Sequence, residues 1–144
     1  MNRFFNTAGP CVPGKHYLLD ASERLLEVVE LIRREQYFVI HAARQSGKTT
    51  LLLDLRKTLE AEGKHRALYC SLESLQGVTD PKDGLPAIVR CLIDALCIWP
   101  AVARNDLAAD LDFADFTNVL KTMLRRLCAA LDKPLVLLLD EVDC

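Results

Sequence analysis

Apolar positions recur at two different periods along this chain, and the alternation between them predicts an α/β fold. Leu25, Leu26, Val29 and Ile32 fall at helical spacing, so residues 21–35 are expected to form an amphipathic helix. Asp20 and Glu23 in front of it have the spacing of a capping box. The short apolar run Tyr37-Phe38-Val39-Ile40 predicts a strand over 37–41. Helical spacing returns over 48–62, with Leu51, Leu52, Leu55 and Leu59 as the buried stripe and Gly63 as the stop. Arg66-Ala67-Leu68-Tyr69-Cys70-Ser71 predicts a second strand. Residues 72–86 carry Gly77, Asp80-Pro81, Asp83-Gly84 and Pro86, which is loop chemistry.

Two more helices are expected beyond that loop. One spans 86–98, with Ile88, Val89, Leu92, Ile93 and Leu96 facing inward and Trp99-Pro100 ending it. The other spans 113–131 and carries Phe113, Phe116, Leu120, Met123, Leu124, Leu127 and Leu131. Lys133-Pro134 then turns into the unbroken run Leu135-Val136-Leu137-Leu138-Leu139, a strand of the kind buried on both faces of a parallel sheet. Helices alternating with such strands imply a mainly parallel sheet, and ligands gather at the C-terminal ends of its strands.

Two motifs stand at those ends. Directly behind the first apolar run, His41 to Thr50 read H-A-A-R-Q-S-G-K-T-T, the pattern of a phosphate-binding loop. In that loop the backbone N–H groups of Ala42, Ala43, Arg44, Gln45, Ser46 and Gly47, with the start of the following helix, turn toward one anion. Lys48 would reach the β- and γ-phosphates, Thr49 would offer its hydroxyl to Mg²⁺, and Thr50 follows in the first turn. The strict pattern has glycine where this chain has Ala42; if that residue needs positive φ, alanine costs about 1 kcal/mol. The second motif is Asp140-Glu141, closing the Leu135–Leu139 run. Asp140 is placed to hold the Mg²⁺ shell and Glu141 to polarise a water against the γ-phosphate. Acids also favour helix starts, so a strand end followed by a helix cap is the competing reading of this pair.

Composition narrows the setting. The chain of 144 residues is 51% hydrophobic and carries a net charge of −2, enough apolar content for one core and no broad basic surface for nucleic acid or anionic membrane. Charged residues flank the longest apolar run, so no stretch spans a bilayer. Met1-Asn2-Arg3-Phe4-Phe5 lacks the apolar core of a signal peptide, which points to a cytoplasmic protein. Six cysteines (Cys11, Cys70, Cys91, Cys97, Cys128 and Cys144) form no C-x-x-C pair beside three histidines, which argues against zinc. Most lie in apolar patterns and read as small buried thiols.

Arg44-Gln45-Ser46-Gly47-Lys48-Thr49 after Tyr37-Phe38-Val39-Ile40, with Leu138-Leu139-Asp140-Glu141-Val142-Asp143 later, resembles the bacterial AAA-like P-loop ATPases, the class with an additional catalytic glutamate. The resemblance extends to Gly14-Lys15-His16-Tyr17 and the helix before the first strand. In that group alanine commonly replaces the first glycine of the Walker A loop. It implies ATP and Mg²⁺ as ligands, Lys48 and Glu141 in catalysis, and Thr49 and Asp140 on the metal. The fold it implies is a P-loop three-layer sandwich with strand order 5-1-4-3-2, of which this chain would hold an incomplete part. Residues 1–19 would be an N-terminal arm and 20–144 the Walker A to Walker B half of a single partial domain.

On that expectation strand 4, which would separate the two motif-bearing strands, is missing. Either those strands pair directly, or a protein partner or self-association completes the sheet, or an open edge remains. The leading functional expectation is therefore an ATP-binding fragment of an Mg²⁺-dependent ATPase. The alternatives are a nucleotide-binding regulatory or interaction module without turnover, and a truncated remnant without function.

Smaller features stay open at this level. Arg44 and Gln45 suit either phosphate contact or a solvated loop. His16 and Tyr17 suit either an adenine contact or an anchor for the arm. Glu73 reads chiefly as a loop acid or cap, and Arg125-Arg126 as a solvated helix face.

Overall fold

A computed structural model describes residues 14, 22–41, 46–100 and 102–142. Helices cover both faces of a small parallel sheet, so the chain is α/β. The elements run α1 (Ser22–Arg33), α2 (Lys48–Glu62), β1 (Arg66–Ser71), α3 (Pro81–Ala95), α4 (Arg104–Ala108), α5 (Val119–Ala130) and β2 (Leu135–Asp140). Short 3₁₀ turns follow β1 at Glu73–Leu75 and α3 at Leu96–Ile98. Among the described residues the sheet has two strands, paired in parallel from Arg66 opposite Leu135 to Ser71 opposite Asp140.

Period-two alternation sorts the strand side chains into two cores. Ala67 and Leu138 join Val29, Ile32, Leu52, Leu55 and Leu59 under α1 and α2. Leu68 and Cys70 join Val89, Leu92, Leu96, Val119, Met123 and Leu127 under α3 and α5. The α2 stripe of Leu51, Leu52, Leu55 and Leu59 is buried as its spacing predicts. The helix stops at Gly63, whose left-handed φ of +69° lets its N–H reach the carbonyls of Leu59 and Glu60. The side chain of Glu60 accepts the Ala67 N–H at 2.9 Å, tying the end of α2 to the start of β1.

Several boundaries differ from expectation. Residues 36–41 are not a strand: among the described residues they pair with none. They keep strand-like alternation, with Phe38 and Ile40 packed on the α1–α2 core and Val39 75% exposed beside a fully exposed Tyr37. Between this segment and the outer edge of β2 lies a groove of about 850 Å³. Of the arrangements expected for the two motif-bearing segments, direct pairing is therefore not the one observed. Leu135, Val136, Leu137 and Leu139 stay half-buried, although their unbroken apolar run predicts burial on both faces.

The helix expected from 86 begins at Pro81, because Asp80 caps it by accepting the Lys82 N–H at 2.9 Å and proline suits the first turn. The helix expected from 113 begins at Val119. Asp112 and Asp115 take backbone and side-chain donors of residues 114–118 into local turns that compete with helix. In α1 Leu26 is 70% exposed, so the apolar stripe is narrower than its spacing suggests. Of the described cysteines, Cys70 alone is buried; Cys91 is half-buried, and Cys97 and Cys128 are exposed. Arg126 is not merely solvated: its guanidinium donates to the carbonyls of Leu107 and Ala109 at the end of α4.

Candidate functional site

The C-terminal ends of both strands and the N-terminus of α2 converge, because the parallel register sets Ser71 beside Asp140 and α2 packs on the face that Asp140 shares with Leu138. Gly47 precedes α2 with φ +84° and ψ 18°. That left-handed turn is open to glycine at little cost, and it aims the first N–H groups of the helix outward. Ser46 and Gly47 are exposed, while Lys48, Thr49 and Thr50 are half-buried in the first turn. Lys48 also lines the groove beside β2. Ala42, Ala43, Arg44 and Gln45 lie outside the described residues, as do Asp20 of the expected capping box, His16 and Tyr17 of the arm, Cys11 and Cys144.

Asp140 is the centre of the site. It is 5% exposed, the one buried charged residue among those described. A buried carboxylate survives only when hydrogen-bonded, and this one has three donors. Thr49 Oγ1 donates to Oδ2 at 2.6 Å across 91 positions of sequence. Tyr69 donates its phenol to the same oxygen at 3.0 Å. The Glu141 N–H donates to Oδ1 at 3.0 Å. Glu141 itself is exposed, with φ +56°, a left-handed conformation unusual for a residue with a side chain. The chain therefore turns sharply as it leaves β2, and the carboxylate of Asp140 closes that turn.

Thr49 and Asp140, 91 positions apart in sequence, are thus in direct contact. The donor set also suits the metal expected for it. A hydroxyl and a carboxylate are hard oxygen ligands, and Mg²⁺ characteristically takes one or two such groups and completes its shell with phosphate and water. No group of three or more His, Cys, Asp or Glu arranged for a metal occurs among the described residues. Glu73 is exposed and opens the 3₁₀ turn after β1, its N–H donating to Ser71 Oγ at 3.4 Å, in keeping with a loop acid.

Sequence reasoning overlooked Tyr69. Its signal was present: alternation along Arg66–Ser71 sets Tyr69 on the face of Ala67, the face α2 covers. The side chain is partly buried, and its hydroxyl ionises well above the usual tyrosine range because burial and then the Asp140 charge disfavour the phenolate. It stays a donor throughout the neutral range.

No helix of the described residues is long and apolar enough to cross a membrane. Compared with protein-family models, with curated proteins and with solved structures, the chain shows no match.

Proposed function

We propose that this chain is an ATP-binding P-loop protein whose site uses Mg²⁺, built on the three-layer sandwich of that class and working in the cytoplasm. The observation that carries the reading is the 2.6 Å hydrogen bond from Thr49, in the first turn of α2, to the buried Asp140 at the end of β2. A hydroxyl that gives its proton to a fixed carboxylate keeps oxygen lone pairs for a cation. The N-terminus of a helix beside it favours phosphate. Lys48, one residue earlier, supplies a positive charge to the β- and γ-phosphates. Mg²⁺, when bound, would be held by Thr49 with Asp140 behind it and would neutralise charge on the phosphates. Ala42 through Gly47 would wrap the phosphates with backbone N–H groups, Thr50 would continue the cradle, and Glu141 would orient an attacking water.

Calorimetric titration of the whole chain with Mg-ATP tests this, beside Lys48→Ala. Binding by the wild type and its loss in the variant are expected; retained tight Mg-ATP binding in Lys48→Ala overturns the assignment. A second reading, nucleotide binding without turnover in a regulatory or interaction module, draws on the outer edge of β2, which pairs with none of the described residues. That edge faces a groove of about 850 Å³, where a protein partner or a second copy would complete the sheet. Phosphate release measured on the ATP-bound protein separates the two: binding without release favours the module.

A further inference from the structure

We propose that Tyr69 is a positioning residue for Asp140, setting the carboxylate against which Thr49 presents its oxygen to Mg²⁺; the inference rests on the nucleotide reading above. Three parts of the chain hold one carboxylate. Tyr69 Oη from β1 and Thr49 Oγ1 from α2 both donate to Oδ2, at 3.0 and 2.6 Å, and the backbone N–H of Glu141 holds Oδ1 at 3.0 Å. The two hydroxyls approach the same oxygen from different elements. Together they fix both the position of the carboxylate and its rotation about the Cβ–Cγ bond.

That rotation matters for a cation. Thr49 can turn a lone pair toward a metal only while its proton has a stationary acceptor. With the phenol gone, Oδ2 is held by Thr49 alone and the carboxylate can swing, taking the threonine proton with it. Tyr69 suits the task because its phenol donates to Oδ2 from β1, an element separate from the helix that carries Thr49. The strand register explains why this residue reaches: Tyr69 lies opposite Leu138, two positions short of Asp140 and on the same face, so a long side chain spans the diagonal.

The test compares ATP binding by the whole chain across a Mg²⁺ series and in chelator, for the wild type, Tyr69→Phe, Asp140→Asn and the double variant. Tyr69→Phe keeps the ring, and thermal melting checks that it stays folded. The Mg²⁺ concentration for half-maximal ATP binding is expected to rise about tenfold or more in Tyr69→Phe, the effect of one hydrogen bond to a charged group. Affinity for ATP in chelator is expected to stay within about twofold, and the effect of Tyr69→Phe to vanish when Asp140→Asn is already present. An unchanged Mg²⁺ requirement, an equal loss with and without Mg²⁺, or strict additivity in the double variant overturns the positioning role while the nucleotide reading stands. A wild-type chain that binds no ATP overturns both.

Discussion

Replacing Asp140 by asparagine keeps the shape of the side chain and removes its charge, and the hydrogen-bond inventory fixes the outcome. Three donors converge on the two carboxylate oxygens, two hydroxyls on Oδ2 and one N–H on Oδ1. Asparagine has a single acceptor oxygen. If that oxygen takes the Oδ2 position, its NH₂ group faces the Glu141 N–H, donor against donor. If it takes the Oδ1 position, the NH₂ faces the hydroxyls of Thr49 and Tyr69, which must rotate to accept. Only one of the two can then take a well-aligned bond. Either orientation loses at least one bond to a charged acceptor, worth about 1.5–3 kcal/mol, and weakens a second to a neutral bond worth about 1 kcal/mol.

Partial exposure of Thr49 and Glu141 trims the sum, so Asp140→Asn is expected to destabilise the ligand-free chain by about 2–4 kcal/mol at neutral pH. For a chain of this length that corresponds to a fall in melting temperature of roughly 5–15 °C. Urea unfolding followed by circular dichroism measures it, with the midpoint falling and the slope unchanged. An Asp140→Asn chain as stable as the wild type, or more so, would refute the reasoning. It would mean that desolvation of this carboxylate outweighs the three bonds it accepts.

Alkaline stability gives a second check. Burial, with nearby Cys91 and Asp94, pushes the Cys70 thiol from its ordinary 9.0 up to about 11. Between those values the unfolded chain releases this proton and the folded chain keeps it, so the Cys70 contribution to stability is level below pH 9 and falls as pH rises toward 11. The loss is at most about 1.4 kcal/mol per pH unit. Cys70→Ala removes that contribution, so its urea midpoint should decline less steeply over this window; parallel declines would contradict the burial argument. Gly63→Ala forces a side chain into φ +69°, where among the described residues nothing is nearer than the Lys133 ammonium at 4.0 Å. Its penalty is therefore torsional, about 1 kcal/mol, read as a drop of roughly 2–4 °C in melting temperature. Gly47→Ala, at φ +84° with none of the described residues within 4 Å, should lose about as much stability. It should also weaken Mg-ATP binding in calorimetry, whereas Gly63→Ala should leave that binding unchanged.

The elements that sequence reading recovered are those decided locally. Four leucines at helical spacing and a terminal glycine suffice to specify α2 and its stop. The short apolar runs at Arg66–Ser71 and Leu135–Asp140 likewise appear as the expected strands. Part of what it missed depended on partners distant in sequence. Residues 36–41 carry strand chemistry, yet a strand is defined by what pairs with it, and local pattern cannot supply a neighbour. The start of α3 was legible in Asp80-Pro81 as a cap and first turn, but Gly84 and Pro86 outweighed it. Asp112 and Asp115 delayed α5 through side-chain bonds that compete with helix at short range. At the site, Thr49 and Asp140 were legible because each belongs to a motif. Tyr69 belongs to none, and only the register of β1 on β2 reveals that its hydroxyl ends at Asp140.

The pairing of β1 with β2 also sets an order of events. Arg66 meets Leu135, 69 positions further along, so closing that loop costs about 4 kcal/mol of chain entropy before any contact repays it. The α2 helix and the stop at Gly63 need no such closure and can form as soon as their residues exist. Thr49 finds Asp140 only after that loop has closed, across 91 positions. The site is thus a late product of folding, assembled on strands whose cores are already packed. Substitutions within it should quicken unfolding and leave the folding rate nearly untouched.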